Sequence, residues 1–511
     1  MRMSPANKSM EKLFALSSAR RTVASNTVWN FAGQIAPLLL AAVAIPILVH
    51  QLGVDRFGVL SLVWILVGYF SFFDLGIGRA ITKLLAEKIA LQDSEASAAL
   101  IWSGLICITL LGICFGAILL AMAPYFLNSV LKIPPIVRTE ALESVPWLAA
   151  AVPVVTATCG LRGMLEAQQN FAAVNGLRTA FGIMTYAGAL AVLPFSHSLF
   201  PVVVSQAAAR MLSGVLHYWA CKRCIPSFSL GMRMSRKALR ALVSFGSWLT
   251  ISNLLSPIMV YLDRFLIGAL LSVSAVAYYT APFDAVTKLW MVPAALTGVL
   301  FPAFSEALAL HDQHRVNSLY ERSIAVTFLV LFPVILAVIL FAHEGLQLWL
   351  GAEFANRSTL ILQVLAFGVF TNSLANMPFA LLQASGRPDV TAKMHLIETP
   401  CYIGVAYWLI HTRGIEGAAW AWTLRLAIEA AVLFFLLRRF LARKLSITMA
   451  AGSLVLIAAG QIPTLLLKTI FLLACAGLFA SVIWHWILDD GLRHRVRSWL
   501  KATPVLRRAS A

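Results

Sequence analysis

A succession of long apolar runs constrains this chain more than any other feature. Fourteen of them follow one another, at 27–49, 57–82, 97–123, 143–163, 171–193, 199–220, 242–269, 276–304, 323–342, 358–383, 394–411, 415–437, 446–466 and 468–488. A helix that crosses a bilayer needs about 20 apolar residues, whereas barrel strands would be short and alternating. The chain is 60% hydrophobic and only 12% charged, more apolar surface than a soluble core can hide. The expected fold is an all-α polytopic membrane protein of about 14 transmembrane helices. The first run is too long and begins too late for a signal peptide, although Ala42-Val43-Ala44 resembles a cleavage site.

Charge orients the bundle. The net charge of +18 would suggest nucleic acid in a soluble protein; here basic loops fix orientation, and no nucleic-acid partner is expected. With the N-terminus inside, the inner segments hold 30 of the 40 Lys and Arg and the outer segments hold 6 (Arg56, Lys132, Arg138, Arg357, Arg413, Lys468). The other four lie within helices: Arg210, Arg264, Lys288 and Arg425. Fourteen crossings then leave both termini in the cytoplasm. Residues 11–21 fit a short interfacial helix or a disordered tail, and the basic loop 221–241 divides two halves.

The halves look alike. One runs "NTVWNFAGQIAPLLLAAVAIPILVHQLGVDRFGVLSLV" from Asn26, and the other "SFGSWLTISNLLSPIMVYLDRFLIGALLSVSAVAYYTAPFD" from Ser244. Each opens with an Asn (Asn30, Asn253) in an apolar helix with a proline further on, then a short turn and an aromatic-rich helix. Internal repeats suggest a transporter whose site lies between its halves. The expected organisation is a basic N-terminus (1–26), a six-helix lobe (27–220), the basic loop (221–241), a second six-helix lobe (242–445), two further helices (446–488) and a basic tail (489–511).

Three stretches together, "NTVWNFAGQ", "IPILVHQLGVDRFGVLSL" and "FFDLGIGRAITK", joined by "DRFLIGALLSVSAVAYYTAPFD" in the second half, carry a family resemblance. Over residues 22–445 the chain resembles the polysaccharide transport family of the MOP flippase superfamily, the Wzx-like flippases. The resemblance implies two pseudo-symmetric, MATE-like lobes that rock around a cavity. It implies a cargo of undecaprenyl-diphosphate-linked oligosaccharide, moved across the bacterial inner membrane for O-antigen, capsule or exopolysaccharide synthesis. A polysaccharide polymerase and a chain-length regulator are the partners such a protein would have.

Charges at bilayer depth are costly and face a cavity or a partner, so they are the candidate site residues. Arg210 lies in mid-helix among Ala207, Ala208, Ala209, Ser213 and Gly214, too deep to reach a headgroup. Lys288 follows Asp284 by one turn, the favourable order for an ion pair. Asp263 and Arg264 are adjacent, point about 100° apart, and need separate partners. Arg425 and Glu429 share a face. Asp74 sits near the inner end of the second span, where Gly76 and Gly78 loosen the helix, and Arg79 and Lys83 follow on one face. Arg210, Lys288, Arg264, Arg79, Lys83 and Arg425 are therefore candidate contacts for a diphosphate, and Asp74, Asp263, Asp284 and Glu429 candidates for ion coupling or pairing. The structural alternative is that the deep charges pair between helices while Arg79 and Lys83 snorkel. Asn30, Gln34, Asn253 and Asn376 read as interhelical glue, and Pro37, Pro46, Pro153, Pro257, Pro333 and Pro378 as kinks.

A cation-coupled drug exporter of the same superfamily is the competing function, against which the embedded cations argue. A membrane glycosyltransferase would need paired acids on a sizeable outer loop, and only Glu140 and Glu143 come near that. No Gly-rich phosphate loop is present, so ATP hydrolysis is not expected. Neither a cofactor nor a metal is implied: the Cys221–Cys224 CxxC has no second pair, and His311 and His314 beside Asp312 are a poor metal site. The charge count makes a direct prediction. Cysteines placed at position 55 and within 124–142 react with an impermeant thiol reagent in intact cells, and one at 236 does not; the reverse pattern refutes the orientation.

Overall fold

A computed structural model describes residues 36–70, 74–232 and 234–482. The basic N-terminus with its 11–21 segment, Asn30, Gln34 and the tail lie outside the described residues, as do the side chains of Asn253 and Pro257. Among the described residues there is no strand. Sixteen α-helices follow one another among the described residues: α1 (Ala36–Leu52), α2 (Val54–Phe70), α3 (Ile77–Ala90), α4 (Ser94–Tyr125), α5 (Pro135–Ala167), α6 (Phe171–Val192), α7 (Leu199–Cys224), α8 (Arg236–Leu270), α9 (Val273–Thr287), α10 (Met291–Ala309), α11 (Gln313–Leu340), α12 (Ala342–Leu350), α13 (Ala352–Ala384), α14 (Pro388–Leu436), α15 (Arg443–Ala459) and α16 (Leu465–Val482). Seven helical stretches are long and apolar enough to cross a membrane, and shorter apolar helices accompany them. Within the described residues, each of the fourteen apolar runs falls mostly on helix.

Polar residues at the ends start several of these helices. Asp93, Asn170, Ser235 and Asp312 accept hydrogen bonds from Ala96, Ala173, Ala238 and Arg315 N–H, supplying a partner to amides that the first turn leaves unpaired. Asp312 is thereby a helix cap beside the two histidines. The 394–411 and 415–437 runs form one continuous assignment, α14, broken at Gly414 (φ 63°, ψ −141°), a left-handed conformation that favours glycine. The limbs fold back so closely that a Cβ on Gly417 would stand 2.0 Å from the Leu409 carbonyl oxygen.

The 57–82 run is not one helix. It breaks between α2 and α3, with Leu75 and Gly76 at positive φ (51° and 72°). The Asp74 carboxylate accepts from the N–H groups of Gly76 and Gly78, each at 3.0 Å, and so caps the new helix. Asp74, expected as an ion-coupling or ion-pairing acid, is engaged in this structure as a helix cap. Its oxygens serve backbone amides, because the turn leaves those amides otherwise unpaired.

Two compact units emerge. The first comprises residues 1–281 and 392–421, the second 282–391 and 422–511. In the first unit α5 packs on α2, α3, α4, α6 and α7. Glycines set the distance of approach. A Cβ on Gly112 of α4 would stand 2.6 Å from Pro153 Cα and 2.2 Å from Thr156 Oγ1, and one on Gly116 would stand 2.7 Å from the Ala149 carbonyl oxygen. On the α3 side, a Cβ on Gly163 would lie 2.5 Å from the Gly78 carbonyl oxygen. Pro153 lies within α5 as expected. In lipid, helices gain nothing by hiding apolar surface from each other, and close packing through small residues drives their association.

In the second unit α13 packs on α10, α11, α12 and α15. Trp422 is fully buried against Phe283 and Trp290, and Thr423 donates to the Val364 carbonyl at 2.9 Å. The two further helices, α15 and α16, both rest on α11. Lys468 of α16 reaches both carboxylate oxygens of Glu344 in α12, at 2.8 and 3.0 Å.

The α4–α5 seam yields a stability prediction. Gly112→Ala forces backbone apart and lowers stability by about 1–3 kcal/mol, while Gly176→Ala in α6, where a Cβ meets nothing within 4 Å, does not lower it. Thermal unfolding of the purified protein in detergent reads both; equal midpoints for the two variants would refute the packing account.

Candidate functional site

Arg210 stands in the middle of α7, half-buried, with its guanidinium Cζ 4.9 Å from the centre of the Phe181 ring of α6. Among the described residues it has no ion pair. Cys159 of α5 lies within electrostatic reach of Arg210, Asp74, Arg162 and Glu166. Both acids in that neighbourhood are engaged elsewhere. Asp74 holds the α3 amides, and Glu166 is paired with Arg162 at 3.2 Å. Arg210 thus keeps its charge uncompensated, resting on an aromatic face that provides a weak cation–π attraction. An Arg in that state offers a planar fork of donors to a phosphate or carboxylate.

Asp263 and Arg264 find separate partners, as their angular offset requires. Both are fully buried. Asp263 accepts a short hydrogen bond from the Tyr279 hydroxyl of α9 and another, at 2.8 Å, from the Arg264 backbone N–H. The Arg264 guanidinium stands 5.1 Å from the Tyr261 ring centre, and that ring meets Tyr69 of α2 edge-on at 5.6 Å. The tyrosines were invisible to a search for charges, although the "AYYTAPFD" run held one of them. In this conformation the Arg264 guanidinium is buried beside rings of α8 and α2.

The remaining candidates separate by exposure. Arg79 and Lys83 are exposed at the start of α3, and Lys83 stands 4.0 Å from Glu87. Arg425 and Glu429 are buried in the second unit, at 8% and 9% exposure. Lys288 is exposed and makes no ion pair among the described residues. The Asp284–Lys288 pair that the spacing suggests is therefore not formed. α9 ends at Thr287, and Lys288–Trp290 is a tighter 3₁₀ turn that changes the i, i+4 geometry.

Glu140 is the acid whose importance sequence reasoning missed. Its oxygens accept Arg56 Nε at 2.8 Å and Nη2 at 2.6 Å, and the Leu199 N–H at 2.7 Å. It ties the starts of α2, α5 and α7 together. A bidentate Arg fork and a backbone N–H engage its carboxylate, so Glu140 has a structural role at this end of the first unit. The CxxC sulfurs have separate structural partners as well: Cys221 donates to the Leu161 carbonyl and Cys224 accepts from Asn170.

Comparison with known proteins agrees with this arrangement. The model of the polysaccharide biosynthesis protein family matches residues 23–308, and the MatE model matches 249–408. An O-antigen transporter candidate of Shigella flexneri is 30% identical over 419 residues, covering 82% of this chain and 98% of its own. Among solved structures, the lipid II flippase MurJ in an inward closed conformation aligns with a TM-score of 0.71 at 12% identity, over 90% of this chain and 99% of its own. An inward-facing multidrug resistance MATE transporter aligns with a TM-score of 0.66 at 17% identity, over 85% and 100%. The chain belongs to the polysaccharide biosynthesis protein family.

The Asp263–Tyr279 contact makes a prediction. Tyr279→Phe removes the donor from a buried carboxylate and costs about 1–3 kcal/mol of stability. Asp263→Asn combined with Tyr279→Phe costs less than the sum of the single changes, because the two share one interaction. A double-mutant cycle on thermal unfolding checks this, and strict additivity refutes it.

Proposed function

We propose that this protein translocates an undecaprenyl-diphosphate-linked oligosaccharide from the inner to the outer leaflet of the bacterial inner membrane, with both termini in the cytoplasm. The translocated units then feed a polysaccharide polymerase and its chain-length regulator. The O-antigen transporter candidate of Shigella flexneri supports the cargo class, and the 30-to-6 charge bias supports the orientation. The observation that carries the reading is Arg210, a permanent cation at mid-helix that stacks on Phe181 and has no carboxylate partner among the described residues.

An uncompensated charge in a membrane helix is too costly to keep for packing alone. A diphosphate that arrives transiently supplies the missing counter-charge, and alternating access delivers it to the other side. The exposed Lys288 and the pair Arg79 and Lys83 are further cationic contacts along the route. A cationic drug as cargo would instead be repelled by Arg210.

Substitution tests this. A charge-assisted hydrogen bond is worth about 1.5–3 kcal/mol, so Arg210→Ala lowers transport roughly tenfold or more. Lipid-linked oligosaccharide then accumulates on the inner leaflet, while expression and thermal stability stay near wild type. Arg210→Lys keeps the charge without the bidentate fork and falls between. Full complementation of a flippase-null strain by Arg210→Ala, at equal expression, would sink the reading.

A further inference from the structure

One end of the first unit is held shut by contacts between equivalent parts of the two sequence repeats. The turn from α1 to α2 and the turn from α8 to α9 occupy matching places in the repeats, and they meet. The Asp55 carboxylate in the first turn of α2 accepts a short hydrogen bond from the Ser274 hydroxyl in the first turn of α9. One turn further along α2, a Cβ on Gly58 would stand 1.9 Å from the Val273 carbonyl oxygen, so α2 lies directly on the α9 backbone.

A third segment clamps this junction. The chain leaves α4 through a π-turn (Phe126–Val130), runs extended at Leu131, and presents Lys132 to the α8–α9 turn. Lys132 N–H donates to the Gly268 carbonyl at 3.0 Å, and its Nζ donates to the Leu270 carbonyl at 2.6 Å. Its own carbonyl accepts from Val273 N–H at 3.4 Å. Gly268 and Leu270 are in the last turn of α8, where carbonyls lack intrahelical partners, and a cation there also suits the helix dipole. One residue thus satisfies two orphan carbonyls of α8 and one amide of α9.

We propose that Lys132 is the latch of a gate, holding the α8–α9 turn against α2 and releasing it when this end of the first unit opens during transport. Lys132 is exposed, so its ammonium and the carbonyls it covers are rehydrated on release. Such bonds have a small net worth, which suits a contact that must break in every cycle. Directly below lies Leu62, buried at 5% exposure and within 3.6 Å of the Cβ position of Gly268.

The proposal rests on the alternating-access reading above, and its test separates the two. In full-length purified protein, a Leu62→Cys reporter is labelled by a water-soluble maleimide. Adding Lys132→Ala raises the labelling rate roughly fivefold, the worth of about one net hydrogen bond, and Lys132→Arg restores the slow rate. Labelling needs no cargo, so an unchanged rate in Lys132→Ala overturns the latch whatever the protein carries. In cells, Asp55→Cys with Ser274→Cys, oxidised to a disulfide, stops transport and reductant restores it, while each single variant transports normally. A crosslinked protein that still transports at full rate also overturns the latch. Faster labelling, combined with an Arg210→Ala variant that transports normally, upholds the latch and sinks the cargo reading instead.

Discussion

The close approach of α5 to its neighbours is the constraint on which the first unit depends. α4 meets it through Gly112 and Gly116, α3 through the facing glycines Gly78 and Gly163, and α7 through Gly214, whose Cβ would lie 2.4 Å from Val154 Cγ1. Lipid is as apolar as a leucine side chain, so hydrophobicity alone gives these helices no reason to associate. Dispersion between surfaces in contact supplies the attraction instead, and it falls off within a fraction of an ångström. Packing this tight also fixes where α7 stands against α6, and so where Arg210 meets Phe181.

The polar groups follow from the same scarcity of water. Asp74 serves the amides of a broken helix, Asp263 a tyrosine and a neighbouring amide, Glu140 an arginine fork, and Glu344 the ammonium of Lys468. Each arrangement avoids the penalty of an unsatisfied buried group. Arg210 departs from the pattern among the described residues, and that departure is the reason to connect it with an anionic cargo rather than with the scaffold. The Lys132 contacts differ in kind. They sit at an exposed turn, where water can replace them, so they can open and close while the buried contacts hold.

Much of the fold was legible because the hydrophobic requirement of a bilayer is written along the chain at a scale of about 20 residues. Within the described residues the fourteen runs fall mostly on helix, and the last two, α15 and α16, pack on α11. The break at Asp74 was half legible. The glycines marked a weak point, but whether a helix loosens or ends depends on whether a side chain stands ready to cap the new amides. The offset of Asp263 and Arg264 was legible as a need for two partners, because adjacent helical residues diverge, but the identities Tyr279 and Tyr261 were not. The Asp284–Lys288 pair misled, since i, i+4 spacing pairs side chains only while the helix stays α.

By itself the sequence determined the material: long apolar helices, basic segments between them, and a handful of cations set within apolar runs. Those properties are local or additive, and composition along the chain is enough to read them. Only the tertiary structure decided which of the candidate cations lack an ion pair among the described residues and which turns of the two repeats touch. Partners such as Phe181 for Arg210, Glu140 for Arg56 and Leu270 for Lys132 lie 29, 84 and 138 residues away in the chain. Short-range forces pair them once packing has brought their helices together, and no spacing within the sequence records that meeting.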